Sequence, residues 1–314
     1  MAETRVRTAV IGVGHLGRHH ARILSGLEGV DLVGVVDANP QRAEEIAEIH
    51  KTTALAMADL AGAVDAVVVA TPTASHADVA CPLLERGVAV LVEKPIARSL
   101  AEADAILAAG RAGGAIVAVG HTERFNPAVE AARSRLVAPR FIEVHRLGTF
   151  PDRSLDIDVV FDLMIHDLDI ILAMVKSDVA SFEAVGVPVL TSKYDIANVR
   201  LRFTNGCIAN VTASRISRER VRKIRFFQPD SYVAVDYAAQ ELEEWRLVRP
   251  TSGLPAIEGG IVPVTNEEPL KRELQDFVSA VRDRRQPAVP GEDGRRALAL
   301  AQQITERMTT VGER

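Results

Sequence analysis

Arg5-Val-Arg-Thr-Ala-Val-Ile-Gly-Val-Gly-His-Leu-Gly17 decides the fold. The run alternates over its first residues and is apolar from Ala9 to Ile11, the pattern of a strand entering the interior of a parallel sheet. Glycines follow at 12, 14 and 17. Gly12 permits a tight turn, Gly14 removes a side chain where a pyrophosphate would approach the backbone, and Gly17 lets the next helix pack close to the sheet. His15 and Leu16 complete the turn, and the first N–H groups of the helix offer an anion site. A second apolar run ends at Asp37, about 20 residues on, where a carboxylate accepts hydrogen bonds from a ribose 2′-OH and repels a 2′-phosphate. A glycine-rich turn alone is a weak signal. Strand, glycines, helix and acid in this order predict a site for NAD rather than NADP, with Arg42 the feature that leans toward a phosphate.

The 314 residues suffice for two domains. With 37 basic and 42 acidic residues the formal charge is −5, which gives nucleic-acid binding no support. The segment Val159–Val175 is the most apolar helix-like stretch, yet four ionisable residues interrupt it, so no membrane span is expected. The N-terminus shows no apolar signal core. Cys81 and Cys207 lack metal-ligand spacing, so no metal is expected and a reducing cytoplasm is the expected location.

Strands are predicted at Val6–Gly12, Asp31–Asp37, Asp65–Ala70, Val88–Val92 and Ala115–Val119, alternating with helices at Leu16–Ser25, Pro40–His50, Ser75–Arg86 and Leu100–Ala112. This is the α/β pattern of a doubly wound parallel sheet, here a dinucleotide-binding domain over residues 1–122. Gly26, Gly87 and Gly113 are placed as helix C-caps. Beyond lies an α+β domain over 123–314. It has a helix at about Asp158–Val175 and strands at Phe141–Phe150, Ala180–Val189, Asn198–Phe203, Cys207–Ser214, Lys223–Phe227, Tyr232–Val235 and Glu241–Val248. Thr204-Asn205-Gly206 is a hairpin turn signal, and consecutive strands without helices imply an open, mostly antiparallel sheet. Helices at about Pro269–Arg284 and Glu292–Val311 end the chain, placed either with this domain or back on the first.

Chemistry gathers at three places. Glu93-Lys94-Pro95 follows a parallel strand, where ligands of open α/β sheets collect; the alternative is a surface lysine in an ordinary loop. Thr71-Pro72 and His76 follow another strand end, on the nicotinamide side of such a site, with Thr73 or Ser75 as helix N-cap. At about 100° per residue, Asp162, His166 and Asp169 share one face of an otherwise apolar helix, and Asp158 joins the stripe. Such a stripe must be paired, hydrated or turned to a cavity, and an acid one turn from a histidine can fix its tautomer. An internal hydrogen-bond network is the alternative. His19 and His20 are expected to be exposed. Arg215–Arg225 carries six basic residues and suits a substrate diphosphate, a solvated face or an oligomer contact.

Gly12-Val-Gly-His-Leu-Gly17, Thr71-Pro72, Glu93-Lys94-Pro95 and Asp162…His166, in this order over essentially the whole chain, resemble the Gfo/Idh/MocA oxidoreductases. The resemblance implies a Rossmann domain, and a C-terminal α/β domain whose sheet forms homodimers or homotetramers. It also implies NAD(P)-dependent oxidation of sugars and cyclitols. Lys94 would then hydrogen-bond the reacting hydroxyl, His166 would exchange its proton and Asp162 would position them. Gly120–Pro127 and Arg153–Asp167 further resemble those members that oxidise C3 of UDP-N-acetylglucosamine, whose product an aminotransferase converts to a diamino sugar of some lipid A. Under that resemblance Arg124, Asn126 and Arg153 join Lys94, Asp162 and His166 as substrate contacts, and Glu93 and Lys94 border the cofactor. A free-sugar or inositol dehydrogenase, and a non-catalytic NAD-binding regulator, are the competing expectations.

Overall fold

The computed structural model describes residues 5–60, 62–150, 157–252 and 254–310. It contains two compact units: residues 1–122 with 268–298, and 123–267 with 299–314.

In the first unit the strands are β1 (Val6–Ile11), β2 (Val30–Val36), β3 (Thr53–Ala54), β4 (Ala66–Val69), β5 (Ala89–Glu93) and β6 (Val117–Gly120). They form one parallel sheet in the order β3-β2-β1-β4-β5-β6. The chain winds outward in both directions from β1 and β4, so the carboxyl ends of these two central strands border the crevice where ligands of such sheets bind. The intervening helices are α1 (Gly17–Ser25), α2 (Pro40–His50), α3 (His76–Leu84) and α4 (Leu100–Gly113). Local chemistry fixes their starts. Asn39 accepts N–H bonds from Gln41 and Arg42 ahead of Pro40, and the Ser99 hydroxyl accepts the Glu102 N–H. Strands β4 and β5 are buried throughout, as two helix-covered faces require. The left-handed cap of α4 is Gly114; Gly113, expected to cap it, is the last helical residue. Helix α7 (Pro269–Asp283) belongs to this unit and buries Leu274, Phe277 and Val278 against the core around β1 and α1.

The second unit is built on a nine-stranded sheet. Its members in chain order are β7 (Phe141–Leu147), β8 (Val179–Val187), β9 (Ile196–Phe203), β10 (Ile208–Ser214), β11 (Val221–Gln228), β12 (Ser231–Asp236), β13 (Glu241–Val248), β14 (Ala256–Val262) and β15 (Thr309–Thr310). Their spatial order is β14-β13-β12-β11-β7-β10-β9-β8-β15. Pairing is antiparallel except for β7 with β10 and β8 with β15. The β7–β10 exception follows from connectivity: α6 (Ile165–Val175), β8 and β9 intervene, long enough for a crossover. Strands β7, β9 and β10 alternate buried and half-buried or exposed positions, so one face meets the core. Two elements had no strong signal. The short α5 (Pro127–Arg133) is marked only by Asn126-Pro127, and β14 is an exposed edge strand that needs no apolar face. Helix α8 (Gly291–Arg307) precedes β15. Among the described residues no helix is long and apolar enough to cross a membrane.

Within the basic segment Arg218, Arg220, Arg222 and Lys223 are exposed, as a solvated face requires, and Arg215 is the exception. Arg215 is 1% exposed, with its Nε 2.8 Å from Oδ1 of the fully buried Asp195, and it also donates to the Ile157 carbonyl and the Thr191 hydroxyl. Burial alone would raise the Asp195 pKa, but the N–H groups of Leu190, Thr191 and Val189 and the Arg215 guanidinium hold it well below the ordinary aspartate value. Further on, Lys223 pairs with Asp236 and Arg225 with Glu143. Removing one partner of the buried pair leaves an uncompensated charge, so Asp195→Ala should destabilise the protein by about 3–5 kcal/mol in equilibrium denaturation. A loss below about 1 kcal/mol would contradict the pair's role. Because the native Asp195 pKa is depressed, its contribution is present above the ordinary aspartate value and lost as pH falls through the native one.

Candidate functional site

The glycine turn sits where β1 meets α1. Gly12 has φ +85°, and a Cβ there would lie 2.8 Å from the Thr71 nitrogen. At Gly17 a Cβ would come 1.7 Å from the Gly12 carbonyl oxygen, so the helix reaches the turn only because that carbon is absent. Gly14 differs: a Cβ built there meets nothing within 4 Å. That open space, beside an α1 N-terminus with no side-chain cap and no acid in its first turn, fits an anionic pyrophosphate. Leu16 is the N-cap residue, and His15 is exposed with its Nδ1 3.5 Å from Arg18.

Asp37 follows β2. Its Oδ2 accepts the Val13 N–H at 2.9 Å and its Oδ1 the Asn39 N–H at 2.9 Å, while Arg42 lies 3.3 Å away. The acid therefore both shapes the glycine turn and offers carboxylate oxygens beside it. Arg42 is engaged by Asp37, which weighs toward a ribose diol and against a 2′-phosphate.

Two further loops leave carboxyl ends of the same sheet: Thr71-Pro72 after β4 and Lys94-Pro95 after β5, with a cis peptide between Lys94 and Pro95. Lys94 is half-buried. His76, expected at the cofactor, is instead 1% exposed and bridges these loops, with Nε2 3.0 Å from the Thr71 carbonyl and Nδ1 3.1 Å from that of Pro95. Burial lowers its pKa, favouring the neutral ring. The N-cap expectation also changes. Ser75 donates to the Thr71 hydroxyl and the Pro72 carbonyl, and neither it nor Thr73 caps a helix N–H. Glu93, likewise expected to border the cofactor, points inward. Its Oε1 is 2.8 Å from Nε2 of His20, and its Oε2 accepts the Lys94 N–H at 3.1 Å. His20, expected to be exposed, is fully buried. Its spacing from Gly17 on α1 was the available signal, one turn in from the tight helix–sheet contact.

In the second unit the polar helix departs from a uniform α register. Val160–Met164 is a π turn, with the Ile165 N–H reaching the Val160 carbonyl, and α6 continues from Ile165. Asp158 Oδ1 accepts the Tyr194 N–H at 2.9 Å, and Asp169, 2% exposed, takes a two-pronged contact from Arg124 at 2.7 and 3.2 Å. Asp167, outside the expected stripe, is fully buried and holds Arg146 at 2.6 and 3.0 Å. Arg146 also contacts Glu123 and lies 5.0 Å from the centre of the Tyr237 ring. Burial opposes the charge on Arg146, but Asp167 prevails and keeps the guanidinium protonated. Asp158, Asp162 and His166 are the half-buried ionisable residues of this stretch. Turns with an extra residue concentrate at functional sites.

Asn126 is corrected as a substrate contact. It is 1% exposed, its Oδ1 accepts the Ala128 N–H at the start of α5, and its amide donates to the Tyr237 carbonyl. Arg124 is held by Asp169. Arg153 lies outside the described residues. Among those described, no group of three or more His, Cys, Asp or Glu side chains could hold a metal ion.

Residues 6–121 match the profile of an oxidoreductase family with an NAD-binding Rossmann fold, and residues 100–228 match the GFO/IDH/MocA C-terminal domain. The UDP-N-acetylglucosamine 3-dehydrogenase of Acidithiobacillus ferrooxidans is 39% identical over 302 residues, covering 95% of this chain and 96% of that protein. A solved structure of it superposes with a TM-score of 0.91 at 38% identity, over 97% of each chain. The scyllo-inositol 2-dehydrogenase (NAD(+)) of Bacillus subtilis is 30% identical over 236 residues, 68% of this chain and 69% of that one. With a Gly12–Gly17 turn that leaves room for a pyrophosphate and a near full-length relative of the same kind, the chain belongs to the Gfo/Idh/MocA family of NAD-binding oxidoreductases.

Proposed function

We propose that this protein is an NAD-dependent dehydrogenase that oxidises the C3 hydroxyl of UDP-N-acetylglucosamine. The observation that carries the reading is the likeness to the Acidithiobacillus enzyme over nearly the whole of both chains. The inositol dehydrogenases keep a second reading in view, oxidation of a free cyclitol, but the B. subtilis protein matches only 68% of this chain.

Bound NAD supplies the hydride acceptor. The protein's own task is to remove the hydroxyl proton as the C–H bond weakens, and to stabilise negative charge on that oxygen. Lys94, fixed on a short rigid turn, is assigned to the oxygen, where a cation aimed at developing alkoxide charge lowers the barrier. His166 is assigned as proton acceptor, since an imidazole titrates near the working pH, and Asp162 as the group that orients it. Oxidation of a secondary alcohol by NAD is unfavourable near neutral pH, so a reaction that consumes the ketone must follow. An aminotransferase acting on the 3-keto sugar is the fitting partner.

Two measurements test this reading. NADH formation with UDP-N-acetylglucosamine, coupled to amino transfer from glutamate, should exceed that with myo-inositol by at least about 100-fold in kcat/KM, and free UDP should compete with the nucleotide sugar. Faster turnover of the cyclitol, with no effect of UDP, would favour the second reading. Gly14→Ala should leave the unfolding free energy within about 0.5 kcal/mol of wild type, because its Cβ enters open space. The same change should weaken NADH binding, read by fluorescence, by about ten-fold or more. Unchanged binding would remove the pyrophosphate from this turn.

A further inference from the structure

The turn that carries Lys94 is met on both sides by buried groups of the first unit. Before it, Glu93 Oε2 accepts the Lys94 N–H at 3.1 Å, and Glu93 Oε1 lies 2.8 Å from Nε2 of His20 on α1. After it, the Pro95 carbonyl lies 3.1 Å from Nδ1 of His76, the first residue of α3. Ile96 and Ala97 then enter the core, fully buried.

The other nitrogen of the same ring reaches a second loop. His76 Nε2 is 3.0 Å from the Thr71 carbonyl. That loop is seated on the glycine turn, since a Cβ at Gly12 would stand 2.8 Å from the Thr71 nitrogen and 2.9 Å from the Ala70 carbonyl oxygen. The Ser75 hydroxyl closes it on itself, 2.9 Å from both the Thr71 hydroxyl and the Pro72 carbonyl. One imidazole therefore spans from the glycine-turn side of the sheet to the lysine-turn side.

A helix start has no need of a buried histidine, because Ser, Thr, Asp or Asn serve as caps, and burying an imidazole costs desolvation. At 1% exposure the ring depends on protein partners. Both of these partners are carbonyl oxygens, which only accept. A neutral imidazole has one N–H and donates to one of them, whereas an imidazolium donates to both. The bond to Pro95 is made in the neutral form protonated at Nδ1 and in the imidazolium alike.

We propose that His76 is a positioning residue for Lys94: its Nδ1–H, donated to the Pro95 carbonyl, ties the Lys94–Pro95 turn to the Thr71–Pro72 loop and through it to the glycine turn. The inference rests on the assignment of Lys94 to the reacting oxygen, so its test includes an arm that does not depend on turnover.

Full-length wild type, His76→Asn, His76→Gln, His76→Ala and Lys94→Ala proteins are compared. The asparagine amide nitrogen falls near the position of Nδ1 and the glutamine nitrogen near that of Nε2, so the two variants separate the Pro95 contact from the Thr71 contact. With UDP-N-acetylglucosamine, His76→Ala and His76→Gln should lower kcat about ten-fold while NADH affinity stays within about three-fold, and His76→Asn should recover most of the loss. Amide exchange, read by mass spectrometry without substrate, should be about ten-fold faster over residues 93–98 in His76→Ala and His76→Gln, and near wild type in His76→Asn. Exchange in β1 should stay unchanged in all three, whereas a general loss of stability would speed it too. Wild-type kcat in a folded His76→Ala would overturn the proposal, as would equal kcat values for the asparagine and glutamine variants or unchanged exchange over residues 93–98. Should His76→Ala fail to fold, the asparagine and glutamine pair decides alone. Wild-type turnover by Lys94→Ala would instead overturn the role of Lys94, a result the exchange arm does not share.

Discussion

The approach of α1 to the end of β1 is the contact on which the rest depends. A Cβ at Gly17 would lie 1.7 Å from the Gly12 carbonyl oxygen, so only glycine at 17 allows it, while Gly12 is required by its φ of +85° and the Thr71 backbone. That contact aims the helix N-terminus at the space beside Gly14. One turn further, the same helix delivers His20 to Glu93, and Glu93 holds the N–H of Lys94. The feature that prepares the nucleotide site thus also anchors the lysine turn two strands away, through a buried hydrogen bond rather than through the sheet alone.

The second unit solves a different problem. Its sheet and helix bury three arginine–aspartate pairs: Arg146–Asp167, Arg124–Asp169 and Arg215–Asp195. A buried pair is costly to form but far costlier to break, so it specifies geometry more than it adds net stability. Each pair engages an arginine and an aspartate with one another, and along the polar helix the pairs take Asp167 and Asp169.

The doubly wound sheet was legible because its signals are local: apolar strands, glycine breaks and capped helices recur in step with the chain. The mostly antiparallel second sheet was legible for the same reason, through alternation and the Thr204–Gly206 turn. What escaped was the partner of each buried polar group. His20 looks like a surface histidine in sequence, because the carboxylate that satisfies it lies 73 residues away, and His76 looks like a cofactor contact, because its partner Pro95 lies 19 residues away. Asn126 looked like a ligand contact because a helix cap and a binding residue use the same amide. The π turn at Val160–Met164 escaped because a uniform 100° step does not anticipate one. The space beside Gly14 needed no such correction, since the glycine spacing specifies the backbone itself.

The central claim is that a hydride leaves C3 of a nucleotide sugar for NAD. UDP-N-acetylglucosamine carrying deuterium only at C3 tests it directly, with the reduced cofactor analysed by mass spectrometry after turnover coupled to amino transfer. The account predicts one deuterium on the nicotinamide of the reduced cofactor and none left at C3 of the product. Reduced cofactor without deuterium, or product that retains the label at C3, would contradict it.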